Sequence, residues 1–263
     1  MATEHPYPHL SPELRRLSGD SLAFWGDAAE RGRALAAVLA AWDGANGTAL
    51  RSAIDRIDRA VLAGLEALAL PRDPASAIRL VGEGRTWLAR VTLDGSILIE
   101  AERLRYYLRL GMADRVAHAW VHESIHARRA SSFGRSAESA AWTGYEEGLA
   151  EGLARTVTEW KAGISVPDRS YEYFVQAYQG LARAGGFEAE RLWRLLWRHR
   201  PGEVRRHFAR AVDDARREVG AALLSPKQHS RLVAVADRVF AAGRIHGRPD
   251  AAALSRLWEL VFR

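Results

Sequence analysis

Apolar residues recur at helical spacing through the first 70 positions. Leu14, Leu17, Leu22 and Trp25, then Leu35, Val38, Leu39 and Trp42, fall where one buried face of helix would need them. The segment 44–47 (GANG) breaks the pattern. A second helix is predicted over 49–68, with Ile54, Ile57, Val61, Leu62 and Leu65 on its apolar side and Pro71 and Pro74 closing it. The period then shortens to two. Ile78 and Leu80, and after them Trp87, Ala89, Val91 and Leu93, point one way, and Asp94-Gly95 separates them from Ile97 and Ile99. An Asp-Gly pair between two alternating runs supplies the positive φ angles of a tight turn, so a hairpin is expected near 86–100. From Ala101 onward the pattern is helical to the end, with breaks at 163–167, 185–186, 201, 225–226 and 247–249. The fold class expected is α+β and predominantly helical, with one small sheet.

At 263 residues the chain can bury a substantial core. It is expected to form a single compact unit over 1–263, with N-terminal helices in 1–75, a core around the hairpin in 76–160 and a helical part in 161–263. No cysteine is present, which excludes a disulfide framework, a thiolate metal site and a cysteine nucleophile. A metal would have to be held by His, Asp or Glu. The N-terminal residues carry no basic segment followed by an apolar run, and no stretch of about 18 apolar residues occurs later, so a cytoplasmic location without a membrane span is expected. The formal charge of +6 and pI near 10.0 would suit a polyanionic partner, but 36 arginines against two lysines in an Ala- and Gly-rich chain read equally as codon bias.

The segment 120–129 reads WVHESIHARR. Helical positions four apart differ by about 40° around the axis, so His122 and His126 can aim their imidazoles at one point. Glu123 lies about 100° away, close to that point without being on it, where a carboxylate can take a proton from an attacking water. His118 continues the series one turn earlier, and helical drift makes it a non-ligand. Further along, TGYEEGLAEGLA begins with Thr143 and has Glu146 three residues later, a capping box that starts a helix and puts its acids in the first two turns. A carboxylate there can complete a set of two histidines, one glutamate and water. The intervening loop, ARRASSFGRSAESAAW, is long enough to bring the two helices side by side.

HESIH and EEGLAEG, with a hairpin ahead of them, resemble the gluzincin branch of the zincin metallopeptidases, which includes thermolysin and many aminopeptidases. The resemblance covers about 78–159. It implies a zincin-like catalytic core and Zn²⁺ as the cofactor, with His122, His126 and Glu147 as ligands and Glu123 as general base. Glu151 would brace a ligand one turn on. It also implies that an edge strand within 86–100 aligns an extended peptide, and that Gly148 lets the two ligand-bearing helices approach. Glu146 is expected to be spent on the capping box and exposed. The family prefers an apolar residue where this chain has Arg128.

An oxyanion donor is open among Tyr171, Tyr173, Tyr178, His199 and His207. Tyr171, Phe174, Tyr178 and Leu181 also form a helical apolar stripe that reads as core. The segment 191–217 interleaves arginines with Trp193, Trp197 and Phe208, which could stack bases and bind phosphates. Two amphipathic helices with Trp inward and Arg outward explain it as well. The expectation is therefore a zinc-dependent metallohydrolase acting on peptide or protein. The alternatives are a non-haem Fe(II) enzyme on the same ligands, or a basic nucleic-acid or protein-interaction module with a structural or vestigial metal site.

Overall fold

The computed structural model describes residues 5–70, 77–92, 94–127, 143–166, 170–199, 203–240 and 251–263. Within these the protein is mostly helical with one three-stranded sheet, as the periodicities predict. The chain gathers into two compact units: Met1–Ser131 with Ala154–Asp168, and Ser132–Leu153 with Arg169–Arg263. Among the described residues no helix is long and apolar enough to cross a membrane.

The first unit opens with a 3-10 turn, Leu14–Arg16, and three helices: α1 (Gly19–Gly26), α2 (Ala28–Asp43) and α3 (Gly47–Ala67). The apolar stripe of 14–42 is thus cut into three pieces. Asp27 makes one cut: its backbone is extended and its carboxylate accepts the Ala29 N–H at 2.8 Å, capping α2. Asn46 caps α3 in the same way through the Ala49 N–H at 2.9 Å. Leu14, Trp25, Leu35, Val38 and Leu39 are buried as the stripe requires, and so are Ile54, Ile57, Val61 and Leu65, whereas Leu17, Leu22, Trp42 and Leu62 are only half-buried. Pro71, Pro74 and Leu93 lie outside the described residues.

Strands β1 (Ile78–Val81), β2 (Ala89–Val91) and β3 (Ile97–Glu100) order as β1-β3-β2. The hairpin is β2 antiparallel to β3, and β1 runs parallel to β3 on the other side. Ile78 and Val91 both pair with Ile97, and Leu80 and Ala89 with Ile99, so the alternating apolar residues share one face. Arg79, Leu98 and Arg90 share the other. At the turn Gly95 takes φ +80°, and Asp94 accepts from the Ser96 N–H at 3.1 Å and from the Ser96 hydroxyl at 3.0 Å, with Thr92 also donating to it. These bonds hold the Asp94 carboxyl down at about 2.

Helices α4 (Ala101–Arg109) and α5 (Ala113–Ala127) follow β3 directly. A break at Leu110–Met112 that the helical pattern does not announce separates them, with Gly111 at φ +69°. Helix α5 packs against α2, α3, α4, β2 and β3 and is buried on almost every side, including Trp120, Val121 and Ile125. Its first turn is tied to α2 by Arg31, whose Nε donates to Asp114 at 2.8 Å while its Nη1 reaches the carbonyls of Phe24 and Trp25 at 2.9 Å.

Helix α6 (Thr143–Arg155) gives its first eleven residues to the second unit and its last two to the first, and runs on into a π-helical turn, Thr156–Lys161. The rest of the second unit is α7 (Glu172–Gly185), α8 (Ala189–Trp197), α9 (Val204–Glu218), α10 (Pro226–Phe240) and α11 (Ala251–Phe262). Its core is aromatic: Phe174, Tyr178, Trp193, Phe208, Phe240 and Trp258 are buried, with the Tyr145 ring tilted against Phe240 at 4.5 Å and the Tyr178 ring at 4.7 Å. Gly144, Gly148 and Gly152 make one face of α6 that this core occupies. A Cβ on Gly148 would stand 2.7 Å from Phe174 Cβ, and one on Gly152 2.4 Å from the Trp193 ring. Gly148 thus allows the close approach of α7.

Candidate metal centre

Helix α5 carries His122 and His126 on one face, both about 95% buried. Their Nε2 atoms lie 3.1 Å apart and the rings meet edge to face at 66°. With Zn–N bonds of about 2.0–2.1 Å, two nitrogens at that separation subtend about 100° at a shared ion, near the tetrahedral angle. A bite this close is one that i, i+4 spacing on a single helix face allows.

The carboxylate of Glu147 completes the group. One ligand atom from each of His122, His126 and Glu147 lies within 4.8 Å of the others. In a four-coordinate zinc site the donor atoms would stand about 3.4 Å apart, so the Glu147 carboxylate, half-buried and on a rotatable stem, has up to about 1.4 Å to close. Two imidazoles and one carboxylate form a borderline donor set that suits Zn²⁺ and leaves a coordination position open.

Glu123, beside His122, is half-buried. Glu151, one turn beyond Glu147, is buried with 3% of its surface exposed. Glu146 is buried too, at 6%, and is therefore not the exposed capping acid that the sequence pattern suggests: every residue from 144 to 155 except Glu147 is buried, so the first turns of α6 face protein rather than water. The Thr143 side chain, the loop over 128–142 and Arg128 lie outside the described residues.

The tyrosines and histidines considered as oxyanion donors separate into distinct environments. Tyr178 belongs to the core, fully buried, with its hydroxyl donating to the Tyr145 carbonyl at 3.0 Å, so its single proton is committed. Tyr171 and Tyr173 are half-buried, and Tyr171 starts α7 in the left-handed region at φ +58°. His199 and His207 stack face to face at 3.9 Å.

Among the arginines of 191–217, Arg194 pairs with Glu190, Arg191 with Glu218, Arg205 with Asp237 through two bonds of 2.6–2.7 Å, and Arg217 with Asp214. Trp193, Trp197 and Phe208, the rings a base would stack on, are buried. This is the amphipathic arrangement, with Trp inward. Pro201 and the 247–249 break lie outside the described residues.

His118, one turn before His122, is not one of the grouped residues. Its Nδ1 lies 2.9 Å from Thr158 Oγ1, and Thr158 in turn donates to the Ala154 carbonyl at 2.8 Å. Nothing in the sequence pairs positions 40 apart, and a threonine inside a helical run carries no signature of such a role.

No protein-family model, curated protein or solved structure matches this chain. What the site does must be argued from its chemistry.

Proposed function

We propose that the protein is a zinc-dependent metallohydrolase acting on peptide bonds, with His122, His126 and Glu147 holding the ion. The observation that carries this reading is the assembled group itself: two Nε2 atoms 3.1 Å apart with the Glu147 carboxylate in the same cluster, and a glutamate directly after the first histidine. A zinc ion there would polarise a scissile carbonyl and bring the pKa of its water toward about 7. Glu123 then serves as general base, accepting the proton of the attacking water and passing it to the leaving amine. Glu151, buried one turn from Glu147, is a natural brace for a ligand.

The gluzincin resemblance of HESIH and EEGLAEG agrees with this assignment, as does the order of hairpin, histidine helix and glutamate helix. A zincin-like core is part of the same proposal. Strand β2, an edge of the three-stranded sheet, lies against α5 and offers a ladder on which an extended peptide could pair. A non-haem iron enzyme would use the same three ligands but has no use for a carboxylate at position 123.

Glu123→Gln tests the reading. The amide fills the same space and cannot accept a proton, so metal content should stay near one ion per chain while peptide hydrolysis falls by at least about 10²-fold in kcat. The check is metal analysis and turnover on the same preparation. Near-normal turnover in the variant would remove Glu123 from the chemistry, and loss of the metal with the activity would make it structural.

A further inference from the structure

Among the described residues β2 is an edge of the sheet, and its hydrogen-bonding parity is fixed. The Glu100 N–H donates to the Leu88 carbonyl at 2.9 Å and the Thr92 N–H to the Ser96 carbonyl at 2.8 Å. Residues 88, 90 and 92 therefore turn their backbone groups toward β3, and Ala89 and Val91 turn theirs to the edge. An extended segment added here pairs with Ala89 and Val91, so its side chain opposite Arg90 lands on the outer face of the sheet. In antiparallel pairing that position is the non-hydrogen-bonded one, where facing side chains come closest. The residues on either side of it fall on the inner face, beside the half-buried apolar Ala89 and Val91.

The outer face is cationic at that place. Arg90 is exposed, and its guanidinium lies 4.7 Å from the centre of the Trp87 ring. The indole covers the flat face of the guanidinium, and the N–H groups in its plane stay available for a carboxylate. Arg79, also exposed, stands beyond Leu98, with its Cα about 10 Å from that of Arg90. Among the described residues neither arginine is in an ion pair. Nearby acids are already committed. Glu100 is fully buried and accepts the Glu83 and Gly84 N–H groups at 3.2 Å, and Glu83 pairs with Arg85 at 2.9 Å.

We propose that Arg90 is a specificity determinant, selecting protein substrates that present an acidic residue between apolar ones in an extended segment. The inference rests on the reading of the protein as a peptide hydrolase whose substrate pairs along β2. Its basis is the cross-strand pair: opposite charges facing each other between strands add up to about 5-fold in affinity, and like charges subtract about as much. Arg79 contributes little to this choice. It is three strand spacings from the added segment, about 14 Å, beyond the screening length of about 8 Å at physiological salt.

Fluorescence anisotropy of short labelled peptides with Val-X-Val at the centre, where X is Glu, Gln or Lys, tests the assignment without activity. Chelator in the buffer keeps the peptide carboxylate off any metal and prevents cleavage. The wild type should bind the Glu peptide about 5- to 25-fold more tightly than the Lys peptide, with Gln between them. Arg90→Glu should reverse the order, and Arg79→Glu, with the same change of charge, should preserve it. Methylating the backbone amide of either flanking Val should weaken binding by about 10-fold, whereas methylating that of X, which points away from β2, should be tolerated.

The proposal is overturned if the wild type binds none of the peptides, or if the order of affinities survives Arg90→Glu. It is equally overturned if a single-stranded oligonucleotide binds more tightly than the Glu peptide and loses its affinity in Arg90→Glu, since the face would then read phosphate. The hydrolase reading fails separately. Arg90-dependent binding with no cleavage once zinc is restored would sustain the recognition and remove the hydrolysis, while equal cleavage of all three peptides would keep the hydrolysis and remove the selectivity.

Discussion

At the scale of single residues, three glutamates within six positions have to be told apart, and burial changes what each should do. Glu147 is in the metal group and Glu146 is about 100° around the helix from it. Glu147→Ala should therefore lose most bound metal, and Glu151→Ala should weaken binding by about 10- to 100-fold as the loss of a brace. Glu146→Ala should keep the metal yet lower the melting temperature, because the acid it removes is 6% exposed rather than solvated. Stoichiometry and thermal unfolding of the three purified variants check this, and an empty site in Glu146→Ala with a loaded Glu147→Ala would mean that the ligand is the other residue. The histidine pair was legible in the sequence because i, i+4 geometry decides it, and the glutamate that groups with it was picked out by the resemblance of EEGLAEG rather than by spacing. The burial of Glu146 and the His118–Thr158 bond were not, since each depends on which distant segment covers the residue, whereas the core role of Tyr178 was legible in its helical apolar stripe.

At the scale of elements, the alternation over 78–99 predicted not only strands but the shared face of Ile78, Leu80, Ala89, Val91, Ile97 and Ile99, because a period of two leaves no other register once one face is buried. The parallel pairing of β1 was invisible, as it depends on a crossover rather than a turn. The three-way cut of 14–42 was missed because caps at Asp27 and the 3-10 turn interrupt a helix without disturbing its apolar spacing. The hairpin turn makes a prediction with a definite sign. The folded pKa of Asp94, about 2, lies below its ordinary 3.8, so the carboxylate contributes stability above about pH 4, and that contribution is lost as pH falls from there through 2. Asp94→Asn should be less stable than wild type at pH 6, with the gap closing toward pH 2 in urea titrations. The glycine face of α6 makes another. Gly152→Ala forces a methyl to 2.4 Å from the buried Trp193 ring and should cost about 1–3 kcal/mol in denaturant unfolding. Gly47→Ala, with nothing within 4 Å at the start of α3, should be neutral or stabilising.

At the scale of the whole molecule, the proposed ligands span positions 122 to 147 and are far apart in sequence, so a metal held by all three would be linked to folding. An unfolded chain still offers His122 and His126 as neighbours, but it holds Glu147 at no fixed distance from them. Binding to the native state alone adds RT ln(1 + [M]/Kd), which is about 2.7 kcal/mol at a free metal concentration 100 times Kd. For a chain near this length each kcal/mol moves the melting temperature by about 2–4 °C, so chelation should lower it by about 5–10 °C and added zinc should restore it. Scanning calorimetry of the wild type and Glu147→Ala, each with chelator and with zinc, separates the possibilities. The shift should vanish in Glu147→Ala and persist in Glu123→Gln, because one variant deletes a ligand and the other a proton acceptor. A full shift in Glu147→Ala would place the stabilising metal elsewhere in the molecule. No shift in the wild type, with zinc nonetheless bound at one ion per chain, would mean that the unfolded chain binds it as well as the native one, and the two histidines alone would account for the affinity.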